Sequence, residues 1–370
     1  ASMIHNEMRK HGIKLILGYT VEGFKGNDNG VEVLLKDNPS LQADMVVLAI
    51  GVTPDTVLAK EAGLELGIKE SIVVNDRMET SVPDIYAAGD AVQVKHYVTG
   101  NDALISLAGP ANKQGRIIAD NICGGDSRYL GSQGSSVIKV FDMTAATTGI
   151  NETNAKKSGL EVDTVILSPM SHAGYYPGGK VMTMKVVFEK ESYRLLGAQI
   201  IGYEGVDKRI DVLATAIHAG LNATQLKDLD LAYAPPYSSA KDPVNMAGFM
   251  IDNIAKGTLK QWHLEDMDKI SKDKDVELLD VRTVGEFSRG HIDGFKNIPV
   301  DELRERISEI EKGKPVYLIC QSGLRSYIAS RILEGNGYET YNFSGGFRFY
   351  DAVVNDRALI ERAYACGMDY

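Results

Sequence analysis

Apolar and polar positions change their spacing several times along the chain. Residues 13–17 and 43–50 are apolar runs, and apolar residues alternate with polar ones along 31–35, so the pattern predicts three strands. The run at 43–50 is typical of a strand that neighbours cover on both faces. A short strand is also predicted over 84–89. A helix is predicted to begin near Gly109-Pro110, with its buried face at positions 117, 118, 119 and 122.

A Gly- and Ser-rich boundary at 124–135 precedes a different order of elements. The pattern there predicts strands at 137–141, 164–167, 181–188 and 195–201, followed by helices at 207–219 and 246–254. This order predicts an α+β unit. In the last segment strands and helices alternate, at 276–281, 302–310, 315–320, 327–333 and 338–342. Alternation of this kind predicts a small parallel α/β sheet.

Composition indicates several domains and no nucleic-acid partner. A chain of 370 residues is longer than one hydrophobic core usually supports. Its net charge of −10 is spread along the sequence, whereas a nucleic-acid interface needs a basic face. No apolar run approaches the length of a membrane span. The three cysteines, Cys123, Cys320 and Cys366, are far apart, which favours free thiols in the cytoplasm over a disulfide framework. No metal site is predicted.

Cys320 ends a predicted strand and is followed by QSGLRS and a helix. A strand that leads through a short loop into a helix directs backbone N–H groups and the helix dipole at the loop, which favours an anion there. We therefore expect Cys320 to ionise readily and to react near neutral pH, with Arg325 adding a positive charge. The alternative is a buried structural cysteine, which is common at strand ends.

The segment 278–299 resembles the rhodanese family very closely. The resemblance rests on Asp280, Arg282, Glu286, Phe287, Gly290, His291, Ile292, Asn297, Ile298 and Pro299. It implies that Cys320 carries a sulfane sulfur as a persulfide and passes it to a thiol, while most of the other residues hold the loop. A phosphatase of the same fold is disfavoured, because four residues separate Cys320 from Arg325 here and five do so in those enzymes.

Two upstream segments resemble the pyridine nucleotide-disulfide oxidoreductases. Residues 80–94 are similar to the family's second flavin motif, in which a strand ends in Gly-Asp; the matching residues are Gly89 and Asp90. Residues 106–122 are similar to a helix whose N-terminus, near Ala108, approaches the flavin ring. The resemblance implies FAD and NAD(P)H as cofactors and a homodimer.

Two further segments, 172–179 and 231–248, resemble the coenzyme A-disulfide reductase branch and its fusions with a rhodanese domain. By that resemblance Tyr233 lies near the flavin of the partner subunit, and Tyr175 and Lys241 contact coenzyme A. The alternative is that these residues belong to ordinary turns and loops. The implied partners are small thiols, persulfides or polysulfide.

No Gly-x-Gly-x-x-Gly fingerprint occurs, and neither Cys123 nor Cys366 has the context of the family's redox cysteine, so both are expected to be inert. We therefore expect a multidomain fragment of mixed α/β and α+β class. Its expected parts are an NAD(P)-binding remnant (1–57), half of an FAD-binding domain (58–128), a dimerisation domain (130–258) and a rhodanese domain (264–370).

The expected function is that of the C-terminal portion of a flavin-dependent coenzyme A-disulfide, persulfide or polysulfide reductase, with the fragment retaining only sulfur transfer. The alternatives are a stand-alone sulfurtransferase on a dimerising scaffold and a non-enzymatic sulfur carrier.

Overall fold

The computed structural model describes residues 1–28 and 30–365, with the side chains of 361–365 left out. The chain forms two compact units. The first contains residues 1–95, 102–131 and the described residues from 353 onward, and the second contains 96–101 and 132–352. Cys366 lies outside the described residues. Among the described residues, no helix is both long enough and apolar enough to cross a membrane.

The first unit contains two small sheets and three helices that lie wholly within it. Its elements are α1 (Ser2–Lys10), β1 (Val21–Asn27), β2 (Gly30–Leu35), β3 (Leu41–Ala43), α2 (Val57–Glu61), β4 (Ile72–Val73), β5 (Val92–Lys95), β6 (Asp102–Ala103) and α3 (Ala108–Ile122). Strands β1, β2 and β3 form an antiparallel sheet. In the other sheet β5 pairs parallel with β4 and antiparallel with β6.

Three predicted strands of this unit are wrong. Residues 13–17 form no strand. Strand β3 shares only Ala43 with the predicted 43–50 segment. In that segment Ile50 is 89% exposed. Among the described residues nothing pairs with 45–50, and an apolar strand becomes buried only when neighbouring strands and helices cover it. Residues 84–89 contribute only an isolated bridge at Tyr86.

Helix α3 is present, but its buried face differs from the prediction. Ala119 and Ile122 are exposed, whereas Gln114 and Asn121 are buried beside the partly buried Ile117 and Ile118. The two polar side chains are buried because each bonds to backbone: Gln114 Oε1 accepts from Gly89 N–H at 2.7 Å, and Asn121 Nδ2 donates to the carbonyl oxygens of Arg77 and Ser127.

The second unit begins with an antiparallel sheet covered by helices. Its elements are β7 (Ser136–Val140), β8 (Met143–Gly149), α4 (Glu152–Lys157), β9 (Val162–Leu167), β10 (Met182–Glu189), β11 (Leu195–Gly202), α5 (Val206–His218) and α6 (Pro243–Ala255). The strand order is β7-β8-β11-β10-β9. Gly197 on β11 has no room for a side chain, because a Cβ there would lie 2.1 Å from the carbonyl oxygen of Ile150. Helices α5 and α6 bury their apolar faces in the same core.

The rest of the second unit is a parallel sheet with helices. Its elements are β12 (Gln261–Trp262), α7 (Met267–Ile270), β13 (Glu277–Asp280), α8 (Val284–Arg289), β14 (Lys296–Asn297), β15 (Val316–Ile319), α9 (Leu324–Glu334), β16 (Thr340–Phe343) and the start of α10 (Gly346–Ala365), whose residues from 353 onward belong to the first unit. The order is β12-β16-β15-β13-β14, with every pair parallel. The carboxyl ends of β13, β15 and β16 therefore meet at one edge of the sheet, where ligands of α/β proteins bind.

The helix predicted at 302–310 is wrong. The segment forms turns and a short 3-10 helix, Ile307–Glu309. Several of its N–H groups bond three residues back, for example Glu305 to the carbonyl oxygen of Glu302. Leu303 and Ile310 are both buried in the domain core, and this packing overrides the helical spacing of the segment.

Candidate functional site

Cys320 lies immediately after β15, in the loop that leads into α9. The loop turns at Gly323, whose φ of 98° is in the left-handed region that favours glycine. Two groups donate to the sulfur: the N–H of Gly323 at 3.1 Å and the hydroxyl of Ser326 at 3.2 Å. Cys320 itself is 1% exposed. The arrangement stabilises negative charge on Sγ, because two hydrogen-bond donors face it in a site that excludes most water.

Ser326 was missed by the sequence reasoning. It lies in the first turn of α9, six residues after Cys320, and its one hydroxyl hydrogen is shared between two acceptors, the Cys320 sulfur and the carbonyl oxygen of Gly323. A helical side chain points toward the N-terminus of its own helix, so a serine one turn into α9 was a detectable signal.

Arg325 forms a bidentate salt bridge with Glu286 on α8. The two nitrogen–oxygen distances are both 2.7 Å. This hydrogen bonding is the main reason that the pKa of Glu286 is lowered to about 2, and the N–H and hydroxyl of Thr283 add to it. Much of the charge of Arg325 is thus neutralised by Glu286. Its geometric role is to connect the start of α9 to α8 at the rim of the cysteine loop.

A second arginine, Arg282, is fully buried beneath this rim. It forms an ion pair with Asp280 at the end of β13, with Nη2 2.7 Å from Oδ2. The same guanidinium donates to the carbonyl oxygen of Gly290 at 2.8 Å and lies 3.8 Å from the centroid of the Phe347 ring. The sequence motif predicted that Asp280 and Arg282 hold the loop, and the pair joins β13, α8 and α10 in this way.

Tyr175 and Tyr233 come together although 58 residues separate them in sequence. Their hydroxyl oxygens are 2.7 Å apart, and the hydrogen bond between them is the main cause of the raised pKa of Tyr233. Both rings are exposed. Lys241, on the loop that follows Tyr233, is also exposed, and its carbonyl oxygen accepts a hydrogen bond from the Ser239 hydroxyl.

Arg209 of α5 lies beneath two loops and joins them. One loop contains Tyr175 and the other follows Tyr233, and we call them the tyrosine loops. This buried arginine donates to the carboxylate of Asp242 at 3.0 Å, to the Ser238 hydroxyl at 3.1 Å and to the carbonyl oxygen of Ser171 at 2.9 Å. The N–H of Ala173 also donates to the carbonyl oxygen of Ser238. One guanidinium thus bonds both the loop that contains Tyr175 and the loop that follows Tyr233.

In the first unit, Gly89 and Asp90 lie beside the N-terminal half of α3. The N–H of Gly89 is bonded to Gln114 of that helix, and Asp90 is exposed. Helix α3 begins at Ala108 without a side-chain cap. No Cβ at Gly109 would meet another atom within 4 Å, so its backbone is open to a ligand. The carboxylate of Asp90 suits the hydroxyl groups of a flavin, because it accepts hydrogen bonds. The uncapped N-terminus of α3 suits the anionic ring of a flavin, because the helix dipole is positive there.

Three family models match successive parts of the chain. Residues 1–115 match the pyridine nucleotide-disulphide oxidoreductase model, residues 135–243 match the dimerisation domain of that family, and residues 263–352 match the rhodanese-like domain. The chain belongs to the pyridine nucleotide-disulphide oxidoreductase family and carries a rhodanese-like domain.

Two solved structures and one curated protein show which kinds of protein this chain resembles. The crystal structure of reduced Bacillus anthracis CoADR-RHD is 46% identical, with a TM-score of 0.93 over 96% of this chain and 64% of that chain. The NAD-dependent persulfide reductase of A. fulgidus is 39% identical, with a TM-score of 0.86 over 95% of this chain and 64% of that chain. A coenzyme A disulfide reductase of Staphylococcus aureus is 33% identical over 66% of this chain and 55% of its own length. The chain thus spans about half the length of the curated relatives it matches.

Replacing Arg209 by Met is expected to lower the free energy of unfolding by about 3–5 kcal/mol, because the Asp242 carboxylate would remain buried without its cation. Adding Asp242→Asn removes that charge and keeps the N-terminal cap of α6, so the double variant should regain part of the loss. Denaturant unfolding followed by circular dichroism measures both values. Lys208→Met on the same helix is the control. A double variant no more stable than the single one would contradict the explanation.

Glu286→Gln is expected to destabilise the rhodanese domain in a pH-dependent way. Because the pKa of Glu286 falls from 4.5 to about 2 in the folded protein, its contribution is complete above pH 4.5 and is lost as the pH falls toward 2. The difference in unfolding free energy between wild type and variant should therefore be constant near neutrality and shrink in acid.

The sole tryptophan, Trp262, is buried in this domain and reports its unfolding by fluorescence. Glu305→Gln is the matched control, since Glu305 is exposed and forms no salt bridge among the described residues. A difference for Glu286→Gln that stayed the same from neutrality to pH 2 would show that its ion pair with Arg325 does not set the stability.

Proposed function

We propose that the chain is the C-terminal portion of a flavin-dependent, NAD(P)H-linked reductase of coenzyme A disulfide, coenzyme A persulfide or polysulfide, and that its rhodanese domain carries sulfane sulfur on Cys320. The observation that carries the proposal is the pair of donors on the Cys320 sulfur, found in a chain whose other domains belong to the pyridine nucleotide-disulphide oxidoreductases.

In the sulfur-transfer half, the Cys320 thiolate attacks the sulfane sulfur of a donor such as thiosulfate. A bond from Sγ to that sulfur forms, the donor's own bond to it breaks, and the rest of the donor leaves with the electron pair, as sulfite from thiosulfate, so that Cys320 becomes a persulfide. The thiolate of an acceptor then attacks the outer sulfur: a new S–S bond forms on the acceptor, and the bond to Sγ breaks. Cys320 leaves as a thiolate, so no external oxidant is needed. The N–H of Gly323 and the hydroxyl of Ser326 stabilise the charge on Sγ as attacking and leaving group.

In the reductase half, FAD would supply the two-electron step between NAD(P)H and a disulfide. Asp90 would accept hydrogen bonds from hydroxyl groups of the flavin, and the N-terminus of α3 at Ala108 would face the anionic part of its ring. These assignments rest on the position of Gly89 and Asp90 beside α3.

The paired tyrosines would serve the thiol substrate. In a homodimer, the Tyr175–Tyr233 pair would project toward the partner's flavin site, where a phenol can donate a proton or a hydrogen bond to a sulfur anion. The ammonium of Lys241 would contact phosphates of coenzyme A. Arg209 supports the proposal because it fixes the distance between the two tyrosine loops.

Cys320→Ser is expected to abolish sulfur transfer from thiosulfate to coenzyme A, because a hydroxyl does not form the persulfide. Loss of product and loss of the 32-Da mass increase at residue 320 are measured together. Cys123→Ser is the control, since Cys123 is an exposed free thiol at the end of α3. A Cys320→Ser protein that still transferred sulfur would overturn the assignment.

Ser326→Ala should retain the persulfide but react about tenfold more slowly, through loss of one hydrogen bond to Sγ.

The flavin assignment predicts visible absorbance bands of flavin in the purified protein that contains this chain. Asp90→Ala should lower the amount of bound FAD, because an acceptor of hydrogen bonds from the flavin is lost. Asp44→Ala, at another exposed carboxylate of the first unit, is the control. Protein without flavin bands, with sulfur transfer intact, would favour the stand-alone sulfurtransferase instead.

A further inference from the structure

An open cleft of about 400 Å³ lies at the rim of the cysteine loop. Three arginines line it, Arg282, Arg289 and Arg348, together with Glu286 and Asp351. We call it the arginine cleft. It borders the loop through Gln321, the residue after Cys320, and through Glu286, which is bonded to Arg325.

The charges of the arginine cleft are unevenly paired. Arg282 is neutralised by Asp280, and Glu286 is neutralised by Arg325. Arg289 and Arg348 are exposed, and neither has a carboxylate within salt-bridge distance in the part of the chain that the structure describes. Asp351 contributes one negative charge to the lining, and Arg289 and Arg348 contribute two positive charges. The cleft therefore has a net positive charge, although the net charge of the chain is −10.

The backbone holds the arginine cleft in register with the cysteine loop. The N–H groups of Phe347 and Arg348, in the first turn of α10, donate to the carbonyl oxygens of Cys320 and Gln321 at 2.8 and 3.2 Å. Arg348 is therefore joined to the residue next to the nucleophile. Arg289 ends α8, the helix that also contributes Glu286 to the rim. The two cations thus lie on different helices that meet at one loop.

We propose that the arginine cleft binds the anionic group of the thiol that takes sulfur from Cys320, so that acceptors bearing phosphate or carboxylate are preferred over neutral thiols. The inference rests on the proposed sulfur-transfer function and adds a specificity element to it. Arg289 and Arg348 bind the anion while the acceptor thiolate attacks the outer sulfur of the Cys320 persulfide. The acceptor gains that sulfur, and Cys320 leaves as a thiolate.

The test compares acceptors that carry different charges. Coenzyme A and pantetheine have the same thiol arm, but only coenzyme A carries phosphates and an adenosine, and glutathione carries carboxylates instead. With thiosulfate as donor, kcat/KM for the acceptor reports the second half of a ping-pong reaction and is separate from persulfide formation. Arg289→Gln, Arg348→Gln and the double variant are assayed with all three acceptors.

Each single variant is expected to lower kcat/KM for at least one of the two anionic acceptors about tenfold, and the double variant to lower it more. None of the three variants should change the value for pantetheine. Arg289→Lys and Arg348→Lys should recover most of the loss, because the charge is restored. A fall confined to coenzyme A identifies phosphate as the anion, and a fall confined to glutathione identifies carboxylate. Arg304→Gln, an exposed arginine elsewhere on the same domain, is the matched control.

Two results would overturn the inference: unchanged kcat/KM for both anionic acceptors, or an equal fall for pantetheine. Failure of the proposed function is a different result, in which the wild-type protein forms no persulfide on Cys320 and transfers sulfur to none of the three acceptors. The pantetheine measurement also shows that the variants are folded, because it requires an intact cysteine loop.

Discussion

Both parts of the second unit contain a buried guanidinium, and in each part that group must be paired with a carboxylate and with other hydrogen-bond acceptors. Among the residues that the structure describes, the two largest fully buried side chains are arginines, Arg209 and Arg282. Each is compensated by one carboxylate and by backbone carbonyl oxygens from other segments. Removing a cation from water costs several kcal/mol unless hydrogen bonds replace the water, so every segment that supplies an acceptor is fixed in place. Arg209 in this way fixes the tyrosine loops, and Arg282 fixes the rim of the cysteine loop.

The cysteine loop combines this rigidity with a small set of donors. Parallel pairing of β13, β15 and β16 brings the ends of the strands to one edge, and the ion pair between Glu286 and Arg325 closes the rim above them. The sulfur of Cys320 is left with one N–H and one hydroxyl directed at it. Such fixed donors need no rearrangement when charge moves onto the sulfur, which is the physical basis of the proposed reactivity.

Prediction from sequence succeeded where spacing and local chemistry agree. The strands of the antiparallel sheet were found at β7, β9, β10 and β11, since their apolar residues alternate or run continuously, but β8 was missed because Met143–Gly149 contains mainly Thr, Ala and Gly. The loop from Cys320 into α9 was located from a strand followed by glycine and a helix. The segment 43–50 misled the prediction, since an apolar run specifies burial only if other elements cover it.

The sequence alone determined the family and the position of the cysteine, because these depend on motifs whose residues are close together in the chain. Only the tertiary structure decided that Arg325 is bonded to Glu286, that Ser326 faces the sulfur and that Tyr175 meets Tyr233. It also brought Arg289 and Arg348 into one cleft. Sequence spacing does not fix such contacts, since they arise when helices and loops from distant segments pack against the same sheet edge and must satisfy their charges together.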